Sequence, residues 1–181
     1  MRVISGAFRG LKLNTFKGDA IRPTADRIKE SLFNILSTRI AGARVLDLFA
    51  GSGSLGIECL SRGAAHVDFN DASPQSVRLL KSNLSKLKGE LSFSVTAGDY
   101  SSLLMRADTP YDVIFIDPPY ASESGRAALQ TIASRSLLAR GGVAVYERDR
   151  AFSGDIPGLA VSDERKYGIT YLTFFENEGD I

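Results

Sequence analysis

The chain contains few of the residues that form disulfides or bind zinc ions. Its 181 residues include one cysteine, Cys59, one histidine, His66, and no tryptophan. A lone cysteine cannot form an internal disulfide, and one Cys with one His cannot build a tetrahedral zinc site, so we expect no metal. Cys59 is expected to fill the core. His66 has no obvious partner in the sequence and is expected to have a surface or cap role.

Long apolar runs are absent as well. No segment is long enough to span a bilayer, and the first residues lack the pattern of a secretory signal. We therefore expect a cytoplasmic protein without a membrane partner. Hydrophobic residues make up 44% of the chain, which is enough for one compact core.

The basic residues are unevenly distributed, although the formal net charge is only +1. Residues 1–44 carry nine Lys and Arg against three acids, whereas the rest of the chain carries 13 against 18. A basic segment on an acidic body favours phosphate binding, and ordinary solvated surface is the alternative. The candidate RNA contacts are basic residues of this segment: Arg2, Arg9, Lys12, Arg22 and Arg27. The last two are also candidates for pinning the first helix or for contacting a cofactor.

From residue 43 onward, apolar runs of strand length alternate with helical patterns. This alternation predicts an α/β fold with a mostly parallel sheet and helices on both faces. The predicted strands are 43–48, 67–70, 91–96, 112–116 and 142–146, followed by an antiparallel pair at 161–165 and 170–175. The predicted helices are 24–38, 54–62, 73–87, 100–106 and 125–136. Thr24 and Ser73 are expected N-caps, and Pro74 suits a first helical position.

The residues before the first helix predict a small hairpin. Short strands are expected at 2–4 and 11–15, around Gly6 and Gly10. We therefore divide the chain into an N-terminal β-hairpin extension, 1–22, and one α/β domain, 23–181.

The segment Asp117-Pro118-Pro119-Tyr120 directly follows the apolar strand 112–116. Two consecutive prolines fix φ and offer carbonyl oxygens but no N–H. A carboxylate and a backbone carbonyl can each accept one N–H of a planar amino group while the aromatic ring stacks on the base. The segment therefore predicts methylation of an exocyclic nucleobase amine, with a proline-stiffened turn as the structural alternative.

Three glycines follow the first strand of the sheet. Gly51, Gly53 and Gly56 spell G-x-G-x-x-G, and Asp71 comes 20 residues after Gly51. The pattern satisfies a dinucleotide fingerprint, so a nicotinamide or flavin has to be considered. The same loop suits S-adenosylmethionine, since glycines let the backbone approach a ligand. Asp47, inside the strand, would be awkward beside a pyrophosphate but suits a cationic ligand.

Further residues at the carboxyl ends of the strands complete the predicted cofactor site. Asp71 is expected to bind both ribose hydroxyls. Asp99 is expected to accept from the adenine amino group, with a helix N-cap as an equal alternative. Phe49 and Tyr100 are assigned to the same site.

These motifs together resemble class I S-adenosylmethionine-dependent methyltransferases, and more narrowly the RsmD family of bacterial small-subunit rRNA guanine-N2 methyltransferases. The resemblance covers nearly the whole chain, with matching segments at 1–6, 9–10, 22–27, 29–34, 45–58, 117–120 and 167–170. The N-terminal segments are the specific part, because generic methyltransferases lack them. Asp71 stands where glutamate is more usual. Asn70 stands where an apolar residue is more usual, which is expected to loosen that strand end.

The resemblance implies a Rossmann-like, seven-stranded sheet whose last strand is antiparallel, plus the N-terminal hairpin. It implies S-adenosylmethionine as cofactor, a guanine of 16S rRNA as substrate (naked or in the small ribosomal subunit), and 117–120 as the catalytic corner. Two other functions stay open at this point: an amino-methyltransferase for adenine or cytosine in RNA or DNA, and a nucleotide-binding oxidoreductase. We expect a monomer.

Overall fold

A computed structural model describes residues 1–16, 23–119 and 123–180, with the backbone alone at 23–25. Two predicted site residues, Arg22 and Tyr120, lie outside the described residues. In the described part of the chain no helix is long and apolar enough to cross a membrane. The same part holds no group of three or more His, Cys, Asp or Glu side chains placed to bind a metal ion.

Helices and strands alternate along the chain, as the patterning predicts. The helices are α1 (Pro23–Ile35), α2 (Ser54–Ser61), α3 (Pro74–Leu84), α4 (Tyr100–Arg106) and α5 (Ser124–Ser134). The strands are β1 (Arg44–Asp47), β2 (His66–Asp71), β3 (Phe93–Ala97), β4 (Tyr111–Ile116), β5 (Leu138–Arg148), β6 (Leu159–Tyr167) and β7 (Thr170–Asn177). Ser73 caps α3 and Pro74 occupies its first turn, which confirms that prediction.

One seven-stranded sheet organises the molecule, with the order β3-β2-β1-β4-β5-β7-β6. All neighbouring strands pair in parallel except β7, which is antiparallel to β5 and to β6. This arrangement confirms the predicted α/β class. The strand order reverses between β1 and β4, and ligands of such sheets bind at the carboxyl ends beside this switch point.

Apolar side chains fill both faces of the sheet. On one face, Val45 and Phe115 pack with residues of α1, α2 and α3. On the other, Leu46 and Ile114 pack with residues of α4 and α5. Cys59 is buried in the first of these cores, as predicted, and burial raises the pKa of its thiol well above the ordinary value.

The N-terminal segment is a smaller hairpin than the sequence predicts. Residues 1–14, the N-terminal arm, contain a single antiparallel bridge between Arg2 and Lys12 instead of two strands. Its turn rests on the end of α2, where a Cβ at Gly6 would lie 1.8 Å from the Ser61 carbonyl oxygen. Side-chain contacts with the helices hold the arm in place of an extended ladder.

A buried carboxylate anchors the first half of the arm. Glu58 in α2 is fully buried and accepts hydrogen bonds from the backbone N–H groups of Ile4 and Ser5 at 2.8 and 3.0 Å. It also pairs with Arg62 at 2.9 Å and with the buried Lys29 at 3.3 Å. Burial lowers the pKa of Lys29, and the Glu58 charge opposes that shift.

The same lysine connects the arm to the start of α2. Lys29 donates to the carbonyl of Arg2 at 2.5 Å and to the hydroxyl of Ser54 at 3.2 Å. Ser54 is the first residue of α2, directly after the glycine loop. One ammonium group therefore contacts α2 and the arm at once.

Asn83 links the other end of the arm to the glycine loop. Its side chain accepts from the Asn14 N–H at 2.7 Å and donates to the Asn14 carbonyl at 3.0 Å. It also donates to the Ser52 carbonyl in the loop at 2.9 Å. Because Asn83 is fully buried, these bonds have little competition from water.

Two details of β2 differ from what the sequence indicates. His66 is paired through both ring nitrogens, to Ser92 at 2.7 Å and to Asp68 at 2.9 Å, because the neighbouring strand places Ser92 beside it. Asn70 does not loosen the strand end, since its buried side chain donates to the Leu48 carbonyl at 3.1 Å. That bond fixes the end of β1 against β2.

Candidate active site

The predicted catalytic and cofactor residues meet at the carboxyl edge of the sheet. Asp47 is the last residue of β1, and Asp117 directly follows β4, the neighbouring strand. Register pairs Asp47 with Phe115, so Asp47 and Asp117 lie on the same face of the sheet. The switch point therefore brings together two carboxylates that are 70 residues apart in the sequence.

Packing against neighbouring side chains explains two of the three glycines in the loop. Gly53 caps α2 with φ of 80°, and a Cβ there would lie 2.3 Å from the Leu80 side chain. A Cβ at Gly56 would lie 2.2 Å from the Phe69 ring. Gly51, with φ of 54°, borders open space. Packing within the protein therefore accounts for Gly53 and Gly56, and a role of Gly51 in clearing a ligand stays a prediction.

The Asp47 carboxylate lies at the first turn of α2, the helix end that faces the pyrophosphate in a dinucleotide fold. Its buried carboxylate accepts a hydrogen bond from the Gly56 N–H in the first turn of α2 at 3.0 Å. Burial, aided by the charge of Asp71, raises the pKa of Asp47 to about 7, and the Gly56 bond opposes the shift. Since a carboxylate already meets the helix N-terminus, the loop suits a cationic group better than a pyrophosphate.

We expect Asp47→Asn to make the free energy of unfolding less sensitive to pH. In the wild type, the folded state keeps the Asp47 proton up to about pH 7, while the unfolded state loses it near about pH 4. Stability contributed by this group therefore falls as pH rises through that window. Urea unfolding at several pH values should show that the free energy of unfolding of the wild type, relative to that of Asp47→Asn, falls from about pH 4 to about pH 7.

The exposed Asp108→Asn variant is the matched control for this experiment and should follow the wild type at every pH. A difference between wild type and Asp47→Asn that stays constant with pH would contradict the assignment.

Asp71 and Asp99 both bind backbone N–H groups. Asp71 accepts from Gly51 and from Ser73, each at 2.8 Å, and stays half-buried, so lone pairs remain for a hydroxyl donor. Asp99 is exposed and caps α4 through the Ser101 N–H at 2.9 Å, which supports its N-cap alternative. Hydrogen bonds from Ser101 lower the pKa of Asp99, so it is a ready acceptor.

An aromatic pair flanks the same edge. The rings of Phe49 and Tyr100 lie 5.2 Å apart between centroids and are tilted by 43°. Both are half-buried beside the ends of β1 and β3. They offer apolar surface next to the polar groups of the predicted cofactor site.

Asp117 is exposed at the sheet edge, yet protein atoms pack around its carboxyl group. Pro118 is buried, whereas Asp117 and Pro119 keep contact with solvent at the sheet edge. The protein packed around the Asp117 carboxyl group, together with the charges of Glu147 and Asp47, raises its pKa well above the ordinary value. Three carboxyl groups therefore share this part of the edge.

Glu147 is a site residue that sequence patterning misses. Ile116 pairs with Tyr146, so the next position places Asp117 beside Glu147 on one face of the sheet. Glu147 is half-buried, and burial raises its pKa. The predicted strand ended at residue 146, one residue before Glu147. Only the register between β4 and β5 identifies Glu147 as a neighbour of Asp117.

The predicted basic contacts that the structure describes lie at the surface. Arg2 and Lys12 face each other across the backbone bridge of the arm, and Arg2 forms an ion pair with Asp26 at 3.9 Å. Arg9 lies in the turn of the arm, whose backbone contacts Ser61 at the end of α2. These three side chains and that of Arg27 are exposed to solvent.

Comparisons with known proteins agree on the family to which this chain is similar. The family model described as conserved hypothetical protein 95 matches residues 1–176. A Haemophilus influenzae protein named ribosomal RNA small subunit methyltransferase D is 38% identical over 141 residues, covering 76% of this chain and 73% of its own. The chain belongs to the RsmD family. The resemblance inferred from the motifs is thereby confirmed.

Other family members extend the match over the full chain. The Bacillus subtilis protein YlbH, named as a candidate rRNA methyltransferase, is 38% identical over 184 residues, covering 99% of this chain and all of its own. A solved Escherichia coli structure named as a candidate methyltransferase, yhhF, aligns with a TM-score of 0.85 at 30% identity, covering 98% of each chain. The family assignment therefore includes the N-terminal arm as well as the sheet.

Proposed function

We propose that this protein, an rRNA methyltransferase by family, transfers a methyl group from S-adenosylmethionine to the 2-amino group of a guanine in 16S rRNA. The observation that carries the proposal is the position of Asp117 and Pro118 at the end of β4, beside Asp47 and the glycine loop. The RNA and the base are taken from the family resemblance, and the chemistry from the site.

The residues at the carboxyl edge fit the proposed cofactor. The acceptors Asp47, Asp71 and Asp99 suit its amino, hydroxyl and adenine N–H groups, and Phe49 and Tyr100 would flank the adenine. Asp47, bound to the start of α2, disfavours a pyrophosphate, which argues against the oxidoreductase alternative. When bound, S-adenosylmethionine supplies an activated methyl group on a sulfonium.

Asp117 and Pro118 would orient the target amine. The lone pair of the guanine 2-amino nitrogen is delocalised into the ring, so the nitrogen is a poor nucleophile. The Asp117 carboxylate and the Pro118 carbonyl would each accept a hydrogen bond from one of its N–H groups and favour a more tetrahedral nitrogen. As the N–C bond forms, the carbon–sulfur bond breaks and S-adenosylhomocysteine leaves, and the nitrogen then loses one proton to Asp117 or to water. Tyr120 would stack on the base after it leaves its own stack. Acceleration would come from positioning and electrostatics, without a covalent enzyme intermediate.

A methylation assay with labelled S-adenosylmethionine tests the proposal. The substrates are unmodified 16S rRNA and small ribosomal subunits, and digested nucleosides are identified by mass spectrometry. N2-methylguanosine supports the proposal, whereas methylated adenosine or cytidine would keep the mechanism and change the base. Failure to methylate either substrate, with cofactor binding intact, would contradict the RNA assignment. The reaction on ribosomal RNA would take place in the cytoplasm, and a monomer remains our prediction.

S-adenosylhomocysteine is expected to raise the melting temperature, whereas NAD is not. Ligand at about 100 times its dissociation constant adds roughly 2.7 kcal/mol to the free energy of unfolding. For a chain of this size, that corresponds to an increase of about 5–10 °C. Thermal unfolding with each ligand measures the effect. Stabilisation by NAD alone would favour the oxidoreductase instead.

Replacing Arg9 and Lys12 together by glutamine is expected to flatten the salt dependence of RNA binding. Removing one basic side chain from a phosphate reduces the slope of log K against log salt by about 0.7–0.9. Binding titrations at several salt concentrations measure the slope. Arg106 at the end of α4 and Arg140 in β5, both exposed and both outside the N-terminal arm, provide the charge-matched control. An unchanged slope in the Arg9 and Lys12 variant would place both residues outside the interface.

A further inference from the structure

Two carboxylates lie next to each other where the amine of the substrate would sit. Continuing the β4–β5 register by one residue puts Glu147 beside Asp117 on the same face. Neighbouring strands of a sheet are about 4.8 Å apart. A single planar base can therefore contact both side chains along one of its edges.

Neither carboxylate has a hydrogen-bond partner among the described residues. Within residues 1–16, 23–119 and 123–180, no hydrogen bond or ion pair reaches the side chain of Asp117 or of Glu147. Two other acids, by contrast, form ion pairs: Glu58 with Arg62, and Asp68 with Arg44. The two edge carboxylates thus retain their full capacity to accept hydrogen bonds from a ligand.

The nearest cation on the same strand faces away from Glu147. Arg148 lies over the rings of Tyr146 and Phe152 at 5.1 and 5.4 Å. Tyr146 belongs to the core on the opposite face of the sheet from Glu147, as strand alternation requires. The charges that raise the pKa of Asp117 on this face are those of Glu147 and Asp47. The field at this point favours a ligand edge with two neighbouring donors.

Guanine presents such an edge. Its 2-amino group stands next to the ring N1–H, so two neighbouring donors point in the same direction. In adenine and cytosine, the ring nitrogen next to the exocyclic amine is an acceptor. A carboxylate facing that nitrogen would repel it and would be left without a donor.

We propose that Glu147 determines base specificity by accepting the N1–H of the target guanine while Asp117 holds the 2-amino group. This inference rests on the proposed function, which it deepens by naming the residue that separates guanine from other amino-bearing bases. Sites built to bind a substrate N–H reject analogues that lack it far more strongly than apolar pockets reject a missing methylene.

An analogue that keeps the amine and loses the N1–H tests the inference. In 2-aminopurine the 2-amino group remains, but ring N1 is an acceptor. The substrate is 16S rRNA, naked or reconstituted into the subunit, with 2-aminopurine ligated in place of the guanine that the wild type methylates. The wild type should prefer guanine by about 100-fold or more in kcat/KM. Glu147→Gln should reduce this preference to about tenfold or less, because its amide can donate to N1.

Glu90→Gln, an exposed substitution of the same type, should keep the wild-type ratio. If Glu147→Gln turns over too slowly, the same ratio is measured by competition binding in the presence of S-adenosylhomocysteine. A guanine preference in Glu147→Gln within twofold of the wild type, by either measurement, overturns the inference. That result leaves the proposed function standing, whereas a wild type that makes no N2-methylguanosine fails at the earlier step.

Discussion

Replacing Asp117 by alanine is expected to lower kcat/KM for methyl transfer by roughly 100- to 1,000-fold. The loss of one preorganised hydrogen-bonding group typically removes about 3–4 kcal/mol of transition-state stabilisation. Asp117→Asn should be similarly impaired, because its amide places a donor where the substrate amine needs an acceptor. Single-turnover methylation of the RNA substrate measures both variants.

Loss of folding would not explain this result. The Asp117 charge is disfavoured in the folded protein by its surroundings, Glu147 and Asp47, so Asp117→Asn is expected to melt at the wild-type temperature or above. Binding of S-adenosylhomocysteine should stay within a few-fold of the wild type. Near-normal turnover in either variant would rule out Asp117 as the group that holds the amine.

The same carboxyl group predicts the acid side of the pH profile. Because its pKa is raised, Asp117 takes up a proton at a higher pH than an ordinary aspartate and then loses its acceptor capacity. Methyl transfer by the wild type should therefore decline on acidification well before the pH at which an exposed aspartate titrates.

Replacing Glu58 by alanine is expected to lower the free energy of unfolding by roughly 3–5 kcal/mol, the usual cost of removing one partner from a buried ion pair. The substitution leaves the Lys29 ammonium buried without its carboxylate and deprives the Ile4 and Ser5 N–H groups of their acceptor. At about 2–4 °C for each kcal/mol, the melting temperature should fall by about 6–20 °C.

A second substitution separates the two causes of this loss, the unpaired Lys29 charge and the missing acceptor for the backbone N–H groups. Adding Lys29→Met to Glu58→Ala removes the unpaired charge and should recover part of the loss, since apolar replacement of a buried pair is often neutral. The exposed Glu90→Ala variant should stay within about 0.5 kcal/mol of the wild type. A Glu58→Ala variant within about 1 kcal/mol of the wild type in denaturant unfolding would show that water reaches Lys29.

The sheet could be predicted from the sequence because its strands are local patterns. Apolar runs separated by helical periodicity give the strand count, and Gly168 marks the turn between β6 and β7. Boundaries were less accurate: α1 was predicted to reach residue 38 but ends at Ile35, and β5 starts at Leu138 instead of 142. These ends depend on tertiary packing, which a local pattern does not contain.

The candidate site was predictable where one segment carries several of its groups. The glycine loop and the segment that begins at Asp117 are contiguous, so their chemistry is visible in the sequence. Glu147 and Asn83 act through partners on other elements, and no spacing rule connects them to those partners. The folded chain alone shows that Asn83 contacts Asn14, 69 residues away.

The anchoring of the N-terminal arm sets an order of events during synthesis. The arm leaves the ribosome before its partners Glu58, Ser61 and Asn83. These partners emerge only after α2 and α3 have been made, so the first 14 residues wait unpaired while β1 and β2 form. At translation rates of about 5–20 residues per second, this delay lasts several seconds. The arm is therefore made before its partners and is among the last parts of this region to dock.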